Sequence, residues 1–333
     1  MDCVFDKNSL IINGKRTFIK SGSLHYFHTF GKNEWQDRLS KMKAGGYNAV
    51  DLYFCWSFHS PKRGFYDFSD YKNIRELLDI ARDLGLFIIA RPGPYINAEL
   101  SGGGIPYWLF KDKNAIIRNR KEGDYVYSKN FMEALKGWYN ALLPIIKDFE
   151  NVILIQVENE YSTNGGETEY IEELAQIVKN AGIKAPVFHN DAYIAGLYSD
   201  VTDIYACDIY PFINPSNSWK DSIFAFDTLD NLEDVVREFN DFSPLFVAEL
   251  QAGWYDKWLG CGYENIRENL GFNHINIMTK TAIANGVTIF NHYMAAGGTN
   301  ILDMAADEVY TSYDFAAPIS EFGAIRDNFK KAK

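Results

Sequence analysis

The chain is poor in cysteine, and the four it has, Cys3, Cys55, Cys207 and Cys261, lie far apart with no Cys-x-x-Cys pair among them. That spacing argues against a zinc or redox motif and against a disulfide-stapled scaffold. Cys55 and Cys207 fall inside apolar runs, where a thiol packs as a small hydrophobe. Positive charge is also short: 33 Lys+Arg stand against 44 Asp+Glu, a formal net charge of −11. Without a basic face, neither a nucleic-acid partner nor an anionic membrane surface is expected. No stretch approaches the ~18 uninterrupted apolar residues of a transmembrane helix. The first ten residues carry Asp2, Asp6 and Lys7 and no apolar leader core. As written the chain therefore reads as cytoplasmic, or as secreted if a leader was removed upstream. Nucleotide signatures are missing too, since Gly102-Gly103-Gly104 runs into Ile-Pro and no Gly-Lys-Ser/Thr occurs. No cofactor and no metal site is expected, because the histidines include no His-Glu-x-x-His spacing.

What the chain has is apolar and aromatic. Of its 333 residues, 47% are hydrophobic and 23% charged, the balance of a chain with a large core. Aromatic residues reach 16%, more than a core needs and suited to stacking against flat or amphipathic ligands. Eight apolar runs of strand length recur, at residues 17–27, 48–56, 86–96, 152–161, 186–193, 204–212, 245–254 and 287–294. Helix-like segments fill most gaps: residues 33–44 from a cap at Asn33, 69–84, 131–149, 170–181, 229–239 and 265–284. Residues 194–203 are too few for a long helix and read as an irregular crossover. Eight parallel strands remove their edges by closing, so the expected fold is α/β, a (β/α)8 TIM barrel forming a single domain over residues 1–333.

In such a barrel the chemistry collects where the strands end. The first run ends in His25-Tyr26, the second in Tyr53 and Trp56, and the third in Arg91-Pro-Gly-Pro-Tyr95 followed by Asn97-Ala98-Glu99. The fourth ends in Glu158-Asn159-Glu160-Tyr161, the seventh in Glu249-Leu-Gln251, and the eighth in Asn291-His-Tyr293. Carboxylates that follow apolar runs are costly to bury unless paired or used. Two of them flanking an uncharged polar substrate, with aromatics to stack on it, are what glycosidic bond cleavage requires. A magnesium site would more naturally serve phosphates, for which no Lys/Arg cluster stands ready. On residues alone the choice between Glu158 and Glu160 stays open, although the position nearer the rim favours Glu160.

These stretches resemble glycoside hydrolase family 35, the β-galactosidase family, over the entire chain. The resemblance is carried by Ser21-Gly-Ser-Leu-His-Tyr26, Trp35-Gln-Asp-Arg38-Leu, Arg91-Pro-Gly-Pro-Tyr95, Gly103-Gly-Ile-Pro-Tyr-Trp108-Leu and Gln156-Val-Glu-Asn-Glu-Tyr161. It continues through Ala248-Glu249, Gly253-Trp254, Gly297-Gly-Thr-Asn300 and the segment from Thr311 to Glu321. The resemblance implies a retaining mechanism with Glu160 as general acid/base and Glu249 as nucleophile. It assigns Asn159 to the sugar 2-hydroxyl and places Tyr53, Ala98, Glu99 and Tyr293 at sugar-contacting positions. Gln251 stands where the family has a pocket tyrosine, and Arg91 and Glu158 are expected as an ion pair behind the catalytic groups.

The chain also departs from the family. Leu250-Gln251 replaces Phe-Tyr after the nucleophile, and Phe315 stands where a second tyrosine is usual. Cys55-Trp56-Ser57-Phe58-His59-Ser60-Pro61 replaces a Pro-Trp-Asn-x-His-Glu-Pro pattern, and Asn97 stands where Cys is common. Each lost hydroxyl removes a sugar hydrogen bond worth about 0.5 to 1.5 kcal/mol. The leading expectation is a retaining, exo-acting β-galactosidase acting on an oligosaccharide or glycoside. The alternatives are the same mechanism on another β-hexoside such as a β-glucosaminide, and a barrel that binds carbohydrate without cleaving it. Relatives usually continue into β-rich domains, so the chain reads either as an isolated catalytic domain or as a minimal member.

Overall fold

The computed structural model describes residues 1–161, 167–212, 227–301 and 303–332. Each of the eight apolar runs contributes one strand of a single parallel sheet. The strands are β1 (Ile19–Gly22), β2 (Ala49–Tyr53), β3 (Phe87–Arg91), β4 (Val152–Gln156), β5 (Val187–Asp191), β6 (Ile204–Ile209), β7 (Phe246–Gln251) and β8 (Ile289–Tyr293). Their lateral order is β1-β8-β7-β6-β5-β4-β3-β2. A parallel bridge between Ser23 and Asp51, with Leu24 N–H donating to the Asp51 carbonyl at 3.1 Å, joins β1 to β2 and closes the barrel.

The strands form where they do because their first halves are β-branched and apolar, as in Phe-Ile-Ile-Ala, Val-Ile-Leu-Ile and Phe-Val-Ala. Ile19, Ala49, Ile89, Leu154, Phe188, Ile204, Phe246 and Ile289 pack together inside the barrel at that end. A short antiparallel meander, Cys3–Asp6, Ser9–Ile12 and Lys15–Thr17, brings Leu10 and Ile12 into the same cluster. The second halves turn polar, as in Arg91, Gln156, Asn190-Asp191, Asp208, Glu249 and Asn291, so one strand supplies both a core layer and a site layer.

Helices surround the sheet: α1 (Lys32–Ala44), α2 (Ile74–Asp83), α3 (Lys129–Lys147), α4 (Thr168–Asn180), α5 (Leu232–Arg237), α6 (Tyr263–Leu270) and α7 (His274–Ala284). Two expectations need correction. Asn33 is not a cap, since α1 begins at Lys32 after Gly31. The helix anticipated over 265–284 is two helices, broken at Gly271, whose φ of 74° an L side chain would resist. The crossover at residues 194–203 is irregular, as its length implied.

Helix α2 starts five residues later than its apolar pattern suggests, because Asn73 caps it by accepting from Glu76 N–H at 3.2 Å. Asn73→Ala should therefore cost about 1 kcal/mol in urea unfolding. An unchanged midpoint would show that solvent replaces this cap without loss.

Candidate active site

Glu249 lies near the end of β7 with its carboxylate held on both oxygens. Tyr53 Oη donates to Oε1 at 2.5 Å and Arg91 Nη2 donates to the same oxygen at 2.8 Å. Tyr210 Oη donates to Oε2 at 2.6 Å. These partners arrive from the ends of β2, β3 and β6, which is why the carboxylate is oriented by the barrel rather than by a loop. Arg91 is fully buried, with its guanidinium 3.9 Å above the Tyr53 ring. It also donates to Gln156 Oε1 and to Asn159 Oδ1, both at 2.6 Å. Asp51 lies 3.7 Å away, its pKa pushed up to about 7 by burial, against the pull of Arg91. On the other side, Asn190 Nδ2 donates to Asp208 at 2.6 Å and lies 3.5 Å from Glu249 Oε1. Burial, and then the charges of Glu249 and Glu160, raise the Asp208 pKa well above the usual range.

Glu160 is placed differently. Strand β4 ends at Gln156, and the chain then adopts left-handed backbone at both Glu158 (φ 59°) and Glu160 (φ 46°). Each such residue costs on the order of 1 to 3 kcal/mol, a strain that surrounding contacts must hold. The turn also ends strand alternation, so Glu158 and Glu160 do not share a face. Glu160 Oε2 accepts from Asn159 Nδ2 at 3.1 Å and from Asn97 Nδ2 at 3.2 Å. Burial, and then the nearby Glu249 charge, push its pKa up to about 7.

Glu160 and Glu249 line one cavity of about 310 Å³ together with Ala98, Glu99, Asn159 and Tyr293. Tyr53 reaches it through Glu249. Glu99 accepts from Tyr313 Oη and, at 3.4 Å, from Tyr293 Oη. Burial pushes its pKa up to about 8. Two sequence-based placements are corrected. Gln251 is not on the cavity wall; it is buried and clasps the backbone of Phe212, accepting from its N–H at 3.1 Å and donating to its carbonyl at 2.6 Å. Glu158 pairs with Arg118 at 2.8 Å, not with Arg91, whose carboxylate partner is Glu249.

Tyr210, Asn190, Asp208, Arg118 and Tyr313 were not singled out from the sequence. For the first three the signal is present, because they sit at the ends of β5 and β6, positions equivalent to those of Tyr53, Arg91 and Glu249 on other strands. Among the described residues, no group of three His, Cys, Asp or Glu side chains is placed to hold a metal ion. A larger depression of about 570 Å³ lies beside α6 and α7 around Leu270 and His274, away from these carboxylates.

Fold and site together define a TIM barrel with a carboxylate-lined cavity at the C-terminal ends of its strands. Solved structures share the barrel: a GH5_18 protein from Bifidobacterium longum (TM-score 0.69, 12% identity, covering 95% of this chain and 78% of that one) and a GH2 beta-galacturonidase from Eisenbergiella tayi (TM-score 0.67, 12% identity, 99% and 52%). The family model for glycosyl hydrolases family 35 matches residues 9–333, and the chain belongs to that family. Curated relatives include the probable beta-galactosidase C of Talaromyces marneffei, 34% identical over 348 residues, and that of Aspergillus fumigatus, 34% over 355 residues. These alignments cover 99% and 100% of this chain and 34% and 35% of the relatives, so the chain spans about a third of their length.

The buried groups set a pH window for stability. All 6 histidines are buried, and burial lowers the pKa of each, to about 3 for His28, His189 and His292 and about 4 for His59 and His274. Below pH ~6.5 the unfolded chain takes up protons that these folded rings refuse, so acid destabilises. Glu99, Glu160 and Asp51 work in the opposite sense: folded, they keep protons up to about 8, 7 and 7, while the unfolded carboxyls have lost them. The thermal midpoint should therefore fall as pH rises from about 7 through about 8, and Glu99→Gln should flatten that fall. A midpoint that climbs across this interval would contradict the raised carboxyl values.

Proposed function

We propose that the chain is the catalytic barrel of a retaining, exo-acting β-glycosidase whose glycone is β-galactose. The observation that carries this reading is the meeting of two unlike carboxyl groups in one compact cavity: Glu249, oriented by Arg91, Tyr53 and Tyr210, and Glu160, pushed up to about 7 by burial and by Glu249. Glu249 attacks the anomeric carbon while Glu160 gives its proton to the leaving oxygen. Glu160, now ionised, then takes a proton from the water that releases the sugar. Asn159, Ala98, Glu99 and Tyr293 hold the glycone, Tyr53 acts on it through Glu249, and the small cavity suits a terminal sugar better than a chain interior. Membership of family 35 and relatives named as probable beta-galactosidases support this reading.

One feature favours a second glycone. Glu99, Glu160, Glu249 and Glu308 line the cavity, and no Lys or Arg is among its described lining residues. With no cation on that described wall to pair with a second carboxylate, a uronide is disfavoured and an amino sugar tolerated, so a β-glucosaminide is the alternative substrate. A panel of aryl β-glycosides separates the two, and turnover of none would leave a carbohydrate-binding barrel.

Glu160→Ala should lose roughly 10² to 10⁴ in rate on a glycoside with a poor leaving group but keep glycosylation by an activated aryl glycoside. Added azide should then restore turnover and yield the β-glycosyl azide. Glu249→Ala should form no intermediate and give the α-azide if rescued. The reverse pattern of anomers would exchange the two roles, and an inverted first product from the unmodified enzyme would refute retention.

The same cavity predicts an asymmetry between the two departures from the family. Phe315 lines it and Gln251 does not. Phe315→Tyr should thus raise kcat/KM for β-galactosides relative to other β-hexosides, whereas Gln251→Tyr should break the Phe212 clasp and lower the unfolding midpoint without moving that ratio. A sugar ratio shifted by Gln251→Tyr alone would overturn this assignment.

A further inference from the structure

The segment that presents Glu160 is held from behind by a group that touches neither cavity nor substrate. Arg118 belongs to a tight turn on the long excursion between β3 and β4, itself in left-handed backbone at φ 56°. Its Nη2 lies 2.8 Å from Glu158 Oε2 and donates to the Asn159 carbonyl at 2.8 Å. Its guanidinium lies 3.9 Å over the Tyr95 ring and 5.1 Å from the Tyr161 ring. Tyr95 can lie there because Gly103 has no side chain: a Cβ at that position, with φ +60°, would stand 1.8 Å from the ring. Glu158 is wholly buried, accepts from Tyr170 Oη at 2.7 Å and donates its own N–H to the Gly93 carbonyl at 3.1 Å. Arg118 therefore grips, on both sides of Asn159, a turn whose flanking residues are left-handed.

We propose that the buried Arg118–Glu158 pair, braced by Tyr170, is a positioning device that holds the 158–160 turn in its left-handed form and so aims Glu160 and Asn159 into the cavity. The proposal rests on the reading of Glu160 as acid/base. A structural ion pair alone would stabilise the fold, but it would not discriminate between leaving groups. A device that aims the acid must do so, because its loss matters most where the leaving oxygen needs a proton.

The pair also bears on the protonation of Glu160. The charged and titratable groups facing that carboxyl are Glu249 from β7, Arg91 from β3, Asp208 from β6, Tyr95 and Glu99 from the loop after β3, and Arg118. Arg118 is one of the two cations that lower its pKa. Removing it withdraws that pull and so moves Glu160 upward.

The test compares Arg118→Met, Arg118→Lys and Tyr170→Phe in the full chain, using aryl β-galactosides of graded leaving-group ability. Arg118→Met should lose about 10-fold or more in kcat/KM on the poorest leaving group and less than about 3-fold on the best, with the alkaline limb moved to higher pH. Arg118→Lys should return the limb toward its original position while recovering only part of the rate, since one ammonium cannot reproduce the planar fork. Tyr170→Phe should act in the same direction but more weakly, and it carries the test with Arg118→Lys if Arg118→Met does not fold. A carboxyl ¹³C titration of Glu160 reads the same upward shift without turnover. An equal loss on all leaving groups, or an unmoved Glu160 titration, overturns the device. Glu160→Gln in the same assays separates the two layers: if it removes the alkaline limb and the Arg118 variants do nothing, the device alone falls. If it leaves the limb intact, the acid/base reading falls and takes the device with it.

Discussion

The charge of Arg91 is the constraint around which the site is built. A guanidinium with no solvent exposure is tolerable only if its donors find acceptors and its charge finds counter-charges. Its surroundings meet the second demand fully and the first in part: Gln156, Asn159 and Glu249 accept from Nε and Nη2 and the Tyr53 ring covers its face, while Nη1 has no hydrogen-bond acceptor and only the Asp51 carboxyl 3.7 Å away. Those partners come from three strands besides its own, Asp51 and Tyr53 from β2, Gln156 and Asn159 from β4 and its end, and Glu249 from β7, so satisfying one buried cation sets the relative positions of β2, β3, β4 and β7. Asn159 is thereby tied to Glu249 through Arg91 and to Glu160 through its own amide. The separation of the two carboxylates is thus a property of a hydrogen-bonded chain and not of two independent side chains.

The aromatic excess in the composition finds its place around this cation. Tyr53, Tyr210, Tyr293 and Tyr313 direct hydroxyls at Glu249 and Glu99, and His25 packs against the rings of Tyr53, Tyr293 and Tyr313 at 4.9 to 5.7 Å. A phenol on a rigid ring delivers a donor to a carboxylate without the rotamer freedom of a lysine, and its ring contributes apolar packing to the core. Most of these rings belong to the core and to the orientation of carboxylates at once. Orienting carboxylates accounts for these rings at the strand ends without any appeal to ligand stacking.

Much of the barrel was legible in the sequence because a parallel strand buried on both faces must be a continuous apolar run, and each of the eight runs contains one. Helix limits were less legible: Asn33 resembles a cap but the chain turns at Gly31, and the apolar period over 265–284 hides the break at Gly271. At the site, position at a strand end marks Arg91, Glu160 and Glu249, and it marks Asn190, Asp208 and Tyr210 at the ends of β5 and β6 by the same rule. It misread Gln251 because a side chain at a strand end can turn toward backbone as readily as toward a cavity, and nothing local in Glu249-Leu-Gln251 reveals that Phe212 waits for it. It misread the partner of Glu158 because alternation holds only while the strand lasts, and β4 stops at Gln156.

That early stop explains how one polypeptide combines a stable barrel with a strained rim. The left-handed residues at the site, residues 97–99, Arg118, Asn119, Glu158, Glu160, Phe315 and Ala316, all lie outside the eight barrel strands, none within the apolar halves. Each costs free energy that favourable local contacts cannot recover unaided. The compensation comes from below, where Ile19, Ile89, Leu154, Phe188, Phe246 and Ile289 are buried with almost no exposure and the N-terminal meander adds Leu10 and Ile12. Dividing each strand into an apolar half and a polar half separates the two demands in space. Substitutions at the rim can alter chemistry while the core keeps the fold, and the cavity can hold groups such as Glu99 and Glu160 in protonation states that water would not allow.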